Sequence, residues 1–508
     1  MAQKIFLGDM PEIMENILKN LNNEFHSLYS CTLVSRHWCK MTIPILWQDP
    51  FSFHQVPLFI STYLSSLDED DKVILKERGI NIVFLKTLFD YARFLKTLNL
   101  SRLETKVRHW IEFQPLYSKP YIGPLIRQIS NLLFKLFIES GAILHNLNIY
   151  LSEFNEIKPE IFYSLGRNEQ FFSRLQDLSL REIITEFSAE NAIALLKILA
   201  KNSTKISVLK LEDFCSTCDS QVFNVLRCII KSQEQLRRFN FDAEYPEKLH
   251  GIISALESQK QSLIEIIIDG CDYDSEFRVL MNCKNLEIIR IRNCDYERLL
   301  KILDCKISTL ELVDSEIDAS KIALIFEKFG TSLQRLKLES VDEMILDQLL
   351  LIEALNSFCP NVTYLNISNI EFSTQLIDLI GNLQKLQFLT CSWCIDGCIN
   401  GLPDKERITQ FAKILLLTLK YLDLRYSCLN SHIDILLNNC NAPLKKLIIN
   451  NNIFDNKKNL KALIYFCIRN RSLKYLGVSV NSDLGLGLFM VVMEYVTVVP
   501  YDRIFVNC

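Results

Sequence analysis

One apolar spacing, LxxLxL with Ile, Val, Phe or Cys also allowed, recurs down most of this chain. It reads LKTLNL from Leu95, LHNLNI from Leu144, LQDLSL from Leu175, ISVLKL from Ile206 and LRRFNF from Leu236. It continues as LIEIII from Leu263, LEIIRI from Leu286, ISTLEL from Ile307, LQRLKL from Leu333 and VTYLNI from Val362. LQFLTC from Leu386, LKYLDL from Leu419, LKKLII from Leu444 and LKYLGV from Leu473 complete the run. From Leu144 onward the intervals range from 21 to 33 residues and average about 27, so the array is irregular. In a short strand, alternate residues point to one face. Leu178 and Leu180 therefore go inward, and Asp177, Ser179 and Arg181 face out. Between the strands, stretches such as 189–202, 220–233, 318–331 and 459–470 space their apolar residues by three and four, the period of a helix. One strand–helix unit cannot bury its own apolar face. Stacked units can, and the pattern predicts an α/β solenoid with parallel strands on a concave side and helices on a convex side.

Periods of 20–29 residues with this motif mark leucine-rich repeats. Members of that family often carry Asn or Cys three residues past the last core residue, where the strand turns and backbone groups need a partner. Cys271, Cys294, Cys394, Asn452 and Asn481 stand at that position here, and so does Ser315. The array thus resembles the leucine-rich repeat family over roughly residues 95–480, which implies a horseshoe-shaped solenoid. The Cys-bearing turns and long repeats look most like the variant common in ubiquitin-ligase receptors. The repeat at Leu95 stands 49 residues before the next. Residues 484–508 are expected to cap the last repeat's apolar edge.

The register also explains CSWCIDGC (391–398), the stretch that most resembles a metal or redox site. Cys391 is the last core residue of LQFLTC, and Cys394 falls at the shared turn position. Only Cys398 lacks a repeat role, and no second CxxC or nearby His completes a tetrahedral set. No metal and no cofactor is expected.

Composition narrows the rest. The chain has 508 residues, 49% hydrophobic and 23% charged, enough to bury a large core. Its net charge of −4, from 56 basic and 60 acidic residues, gives no footprint for a nucleic-acid binder. Asp9 and Glu12 interrupt any apolar signal core at the N-terminus. The most apolar run, LGLGLFMVVM (484–493), is too short to span a bilayer as a helix. An intracellular chain, in cytoplasm or nucleus, is expected, with its 17 cysteines mostly free, buried thiols. No GxGxxG, GxxxxGK[ST], GxSxG or HExxH occurs, and no His has a nucleophile partner at a recognisable spacing.

The first fifty residues read differently from the array. Asp9 and Glu12 have capping-box spacing and Pro11 fits a first helical turn. Ile13, Ile17, Leu18 and Leu21 make an apolar stripe. A second helix is expected with Leu28, Cys31, Val34 and Trp38 on one face, interrupted by Pro44. About forty-five residues this rich in large apolar groups make a poor free-standing domain, and an unmet apolar surface points to a partner. The order Leu7, Pro11-Glu12-Ile13, Ile17-Leu18, Leu21, Leu28, Val34-Ser35-Arg36-His37-Trp38 and Leu46-Trp47 resembles the F-box. Met10 stands where the family has Leu, and Ser27 where an acidic residue is frequent. The resemblance implies a three-helix unit docking on the Skp-type adaptor of a cullin-based ubiquitin ligase. It also implies that the rest of the chain selects a protein substrate for ubiquitination, without catalysis of its own. By the same resemblance Leu7, Pro11, Ile13, Ile17, Leu18, Leu21, Leu28, Val34, Trp38 and Trp47 contact the adaptor or pack the unit. A leucine-rich scaffold outside any ligase is the alternative. The expected organisation is 1–50 as the F-box, 51–94 as an ordered connector, and 95–508 as the solenoid with its cap. Within the connector, DEDDK (68–72) reads as a solvated loop or helix start and 89–100 as a helix leading into the first strand.

Substrate recognition is expected on the outward side of the strands. Tyr364, Phe388, Tyr421 and Tyr475 occupy one repeating position, with Lys446 in the same place between the last two. Stacked aromatics form a recognition strip, Tyr being favoured at interface hot spots, although aromatics also suit strands in general. Arg290, Arg292, Arg335, Lys337 and Arg425 line neighbouring strands and suit an acidic segment or phosphate. Glu311, Glu339 and Asp423 are interleaved with them, which equally makes a solvated mixed-charge face.

Overall fold

The computed structural model describes residues 1–508 apart from 1–10, 22–23, 54–55, 81–85, 115–121, 151–157, 182–189, 216–219, 245–249, 272, 393–404, 451–455, 479–490 and 507. Two compact units, Met1–Leu263 and Ile264–Cys508, are described in turn.

The first unit opens with three helices, α1 (Pro11–Lys19), α2 (Phe25–Thr32) and α3 (Arg36–Leu46). Met14, Leu18, Leu28, Ile45 and Leu46 form their core, and Leu21, Phe25, Trp38, Met41 and Trp47 pack partly against it. The expected second helix is in fact two. The Ser35 hydroxyl accepts a bond from the Trp38 backbone N–H at 3.2 Å and starts α3 afresh, so the chain breaks at residues 33–35. Val34 therefore sits in the break, exposed, rather than on a buried helical face. Pro44 lies inside α3 without ending it. It is the third residue from the end of the helix, and the N–H it lacks removes one backbone bond.

The connector is ordered against the first repeats. Asp68 caps the helix Glu69–Glu77 by accepting from the Asp71 N–H at 2.8 Å. The buried Asp71 carboxylate in turn holds the Lys135 ammonium at 3.0 Å. Trp110 Nε1 donates to Ser61 Oγ at 2.9 Å, and the rings of Phe51, Tyr63 and Phe137 pack against one another. Residues 89–100 are not a helix. After a short 3-10 turn at Ala92–Phe94 the chain is extended, because Lys96 and Thr97 both donate backbone N–H groups to the Gln48 carbonyl at 3.0 Å.

Five parallel strands follow: β1 (Thr97–Asn99), β2 (Asn146–Tyr150), β3 (Asp177–Arg181), β4 (Val208–Cys215) and β5 (Arg238–Glu244). Their core residues align in one row, Leu98, Leu147, Leu178, Leu209 and Phe239. The repeat at Leu95 is thus a true member of the array. The long gap after it holds two helices, Leu100–Glu112 and Ile122–Glu139, instead of one.

The second unit continues the pattern with β6 (Glu265–Asp269), β7 (Ile288–Arg292), β8 (Thr309–Asp314), β9 (Arg335–Ser340) and β10 (Tyr364–Ser368). Then come β11 (Phe388–Ser392), β12 (Tyr421–Asp423), β13 (Lys446–Ile448), β14 (Tyr475–Val478) and β15 (Thr497–Pro500). All pair in parallel with their neighbours. Helices such as Ala319–Phe329 and Gln348–Phe358 pack side by side as the connections. This is the leucine-rich repeat architecture that the spacing predicts. β15 lies within the expected C-terminal cap and does extend the sheet past the last repeat.

The turns after the strands show why certain residues recur. Gly270, Asn293 and Asn369 take left-handed backbone two residues past the last core position, a conformation that Gly and Asn adopt at least cost. One residue later the thiols take over. Cys294 Sγ accepts the Cys271 N–H at 3.2 Å and donates to the Arg292 carbonyl at 2.8 Å. Burial pushes the Cys294 thiol up to about 12, so it stays a neutral partner for the backbone. Cys394, Asn452 and Asn481, expected to act likewise, lie outside the described residues, as does Cys398. Cys391 is buried in the β11 core row, and burial raises its thiol well above the ordinary range. Among the described residues no helix is long and apolar enough to cross a membrane.

Candidate functional site

Two surfaces carry the residues singled out from the sequence. The first is the three-helix unit. Its packing separates core positions from surface ones, which spacing alone leaves merged. Leu18 and Leu28 are fully buried, and Leu21 and Trp38 are half-buried against the same core. Trp47 turns to the connector, its ring against Tyr63 at 5.0 Å and Tyr91 at 4.2 Å. Ile13, Ile17 and Val34 are instead 42%, 49% and 62% exposed, and each is a large apolar group left in solvent. Ile13 and Ile17 are four apart and share one face of α1. Two further exposed residues, Tyr29 on α2 and Leu33 at its C-cap, extend this property. Sequence spacing missed these two because the family pattern does not mark them. Leu7 lies outside the described residues, and so does the side chain of Pro11.

The second surface is the sheet face opposite the helices in the second unit. Here the register places the expected aromatics in one row: Tyr364, Phe388, Tyr421, Lys446 and Tyr475 are successive cross-strand partners. The row continues the other way through Arg335, Thr309, Ile288 and Glu265. The strip therefore exists as a continuous line, but it is not an open one. Tyr364 is 1% exposed and Tyr421 fully buried, whereas Phe388 is half-buried and Tyr475 remains 39% exposed. Burial pushes the Tyr364 phenol up to about 12 and the Tyr421 phenol well above its ordinary range.

The basic residues expected on this face are engaged within it. Arg290 pairs with Glu265 and, through Nε at 3.2 Å, with Glu311. Arg292 reaches the same Glu311 at 2.9 Å, and Lys337 spans Glu311 at 3.4 Å and Glu339 at 2.8 Å. The buried carboxylates of Glu265 and Glu311 are thereby neutralised, as burial requires. Arg335 lies over the Tyr364 ring at 4.6 Å and near Phe388 at 5.9 Å. Arg425 clasps the buried Asp423 carboxylate through Nε at 3.1 Å and Nη2 at 2.7 Å. The interleaved charges thus form a neutralised network rather than a free basic patch.

What covers the row is a segment of the expected C-terminal cap. After β15, residues 501–506 and Cys508 lie over this face. Ile504 packs with Tyr421 and Ile448, joined by Phe388, Val499, Tyr501 and Val506. The apolar IFV (504–506) is the available signal, since an apolar triplet after the last strand must find a surface.

The chain matches no protein-family model and no curated protein sequence. Solved structures do resemble it. Rad7 from yeast, solved in complex with Elc1, is 15% identical over 75% of this chain and 94% of its own, with a TM-score of 0.38. The leucine-rich repeat-containing protein LegL7 from Legionella pneumophila is 13% identical over 68% of this chain and 98% of its own, with a TM-score of 0.33. At such scores neither likeness extends to partner or function, and the repeat architecture stands on the register described above.

Proposed function

We propose that this chain is the substrate-recognition subunit of a Skp–cullin–F-box ubiquitin ligase. In this reading the three-helix unit docks on a Skp-type adaptor, and the repeats present a protein substrate for ubiquitination and degradation. The single observation that carries it is the division of labour among the F-box-like residues. Leu18 and Leu28 complete a private core, while Ile13, Ile17 and Val34 of the same motif stay in water. Large apolar side chains left outside a satisfied core are what a docking surface offers. The chain needs no catalytic group for this task. Holding a substrate beside activated ubiquitin supplies proximity, which is the contribution of such a subunit.

Co-purification tests the reading. The full chain captures the Skp-type adaptor together with cullin, and the chain lacking residues 1–50 does not. A triple substitution, Ile13→Ala, Ile17→Ala and Val34→Ala, leaves the thermal melt in place and loses the adaptor. If the full chain captures no adaptor, the ligase assignment falls and a leucine-rich interaction scaffold takes its place.

A further inference from the structure

The sheet face of the second unit holds a segment that folds back on it, residues 501–506 with Cys508, beginning in the 3-10 turn Tyr501–Arg503. Five groups of contacts fix the segment. The Val506 N–H donates to the Tyr421 hydroxyl at 3.3 Å. Arg290 Nη2 donates to the Cys508 carbonyl at 2.7 Å. The Cys508 thiol, 5% exposed, donates to the Leu310 carbonyl at 3.7 Å. The Arg425 guanidinium, held flat by Asp423, lies over the Tyr501 ring at 4.4 Å and the Phe505 ring at 4.5 Å. Ile504 fills a hollow made by Tyr421, Ile448 and Gly477, where a Cβ on the glycine would stand 3.0 Å from Ile504 Cδ1.

These contacts come from β7 through β14, so the segment crosses the strands rather than extending the sheet as a further strand. Its side chains meet residues that point out of the sheet, the positions where a repeat protein of this type offers a binding surface. A segment that only closed the apolar edge of β14 would end with β15. This one goes on to engage Arg290 and Leu310, several strands away, with directional bonds at Val506 and Cys508.

We infer that this face is a docking groove for a peptide that enters through a helical turn, and that residues 501–506 with Cys508 are its built-in occupant, a strap that a partner peptide must displace. The chemistry of the groove defines the partner. It carries an aromatic ring to stack on Arg425 and, beside it, a branched aliphatic for the Tyr421–Ile448–Gly477 hollow. It also carries a backbone N–H for the Tyr421 hydroxyl and an oxygen acceptor for Arg290. That the partner is a substrate of a ligase rests on the reading above; the groove and its strap do not.

The test uses the full chain with the strap loosened by Ile504→Asp and Phe505→Ala, and a fluorescein-labelled peptide of sequence YDRIFVNC under reducing conditions. Fluorescence anisotropy reads binding. A strap that is closed most of the time lowers apparent affinity by the open fraction, so the loosened chain binds the peptide at least about tenfold more tightly than the unaltered chain. Adding Arg425→Ala to the loosened chain abolishes binding. A loosened chain that melts cooperatively yet binds no peptide overturns the inference, and so does an unaltered chain that binds equally well. Should the loosened chain not fold, a protease site placed between Pro500 and Tyr501 allows the strap to be cut after folding. The cut segment then exchanges with labelled peptide; failure to exchange makes it an integral part of the fold and overturns the inference. Adaptor capture is scored in parallel. Loss of peptide binding with adaptor capture retained sinks the groove alone, and the reverse sinks the ligase reading alone.

Discussion

At the scale of single residues, the F-box-like motif mixes two kinds of leucine-class side chain that look alike in the sequence. Leu28 sits in the α1–α3 core with no exposure, so Leu28→Ala removes buried methyl groups and leaves a cavity. A loss of about 2–5 kcal/mol is expected, seen as a lower urea midpoint. Ile17 is 49% exposed, and Ile17→Ala should move stability by no more than about 0.5 kcal/mol while weakening adaptor capture. Ser35 belongs to a third kind, since its hydroxyl caps α3 through the Trp38 N–H. Ser35→Ala should cost about 1 kcal/mol, measured by the same unfolding curve. The sequence motif contained all three residues. It could not tell them apart, because exposure depends on how three short helices cross.

At the scale of elements, close backbone approaches decide which substitutions matter. Gly330 ends the helix Ala319–Phe329 against the neighbouring helix Gln348–Phe358. A Cβ there would stand 2.5 Å from the Phe326 carbonyl oxygen and 2.6 Å from that of Phe358. Both are backbone atoms and cannot swing aside, so Gly330→Ala should destabilise by about 1–3 kcal/mol and lower the melting temperature. Gly477 is a gentler case, because its Cβ would press on side-chain atoms of Ile448 and Ile504 at 3.0 Å. Gly477→Ala should leave the global melt nearly unchanged and speed proteolytic cleavage within 501–508. The turn glycine and asparagines at 270, 293 and 369 form a left-handed series that periodicity does not detect. Hydrophobic spacing reports side-chain faces and is blind to the sign of φ.

At the scale of the whole molecule, the buried thiols and phenols set the behaviour in base. Burial holds Cys294, Cys359 and Cys508 up to about 12, above an ordinary thiol value of 9.0. It holds Tyr364 up to about 12, above 10.0. In each case the folded state keeps its proton longer than the unfolded one. The unfolded chain therefore binds fewer protons between the two values, and stability falls as pH rises through that window. Urea midpoints should be flat from about pH 7 to 8 and decline steadily above about pH 9. Cys508 and Tyr364 both lie on the strapped face, so protection of 501–508 from proteolysis should weaken over the same range.

What the sequence determined by itself is the repeat. An apolar residue every second position in a strand, returning every few tens of residues, permits one economical burial, and the row of Leu98, Leu147, Leu178 and Leu209 shows it realised. The register of the aromatics was legible for the same reason, since parallel strands with a common motif must align like positions. The first strand and the helices of the N-terminal unit were legible as segments, but the break at residues 33–35 was not, and the helix expected over 89–100 is absent. Ser35 starts a new helix and the Gln48 carbonyl holds residues 96–97 extended, through hydrogen bonds that no spacing records. Only the tertiary structure decided that Tyr364 and Tyr421 are covered and that Arg290 and Arg425 are engaged. The outward positions of a repeat are polar or aromatic in the sequence whether water or protein meets them. Here residues 501–506 and Cys508 meet them from as far as 218 positions away along the chain, a separation at which local pattern carries no information and packing alone chooses the partner.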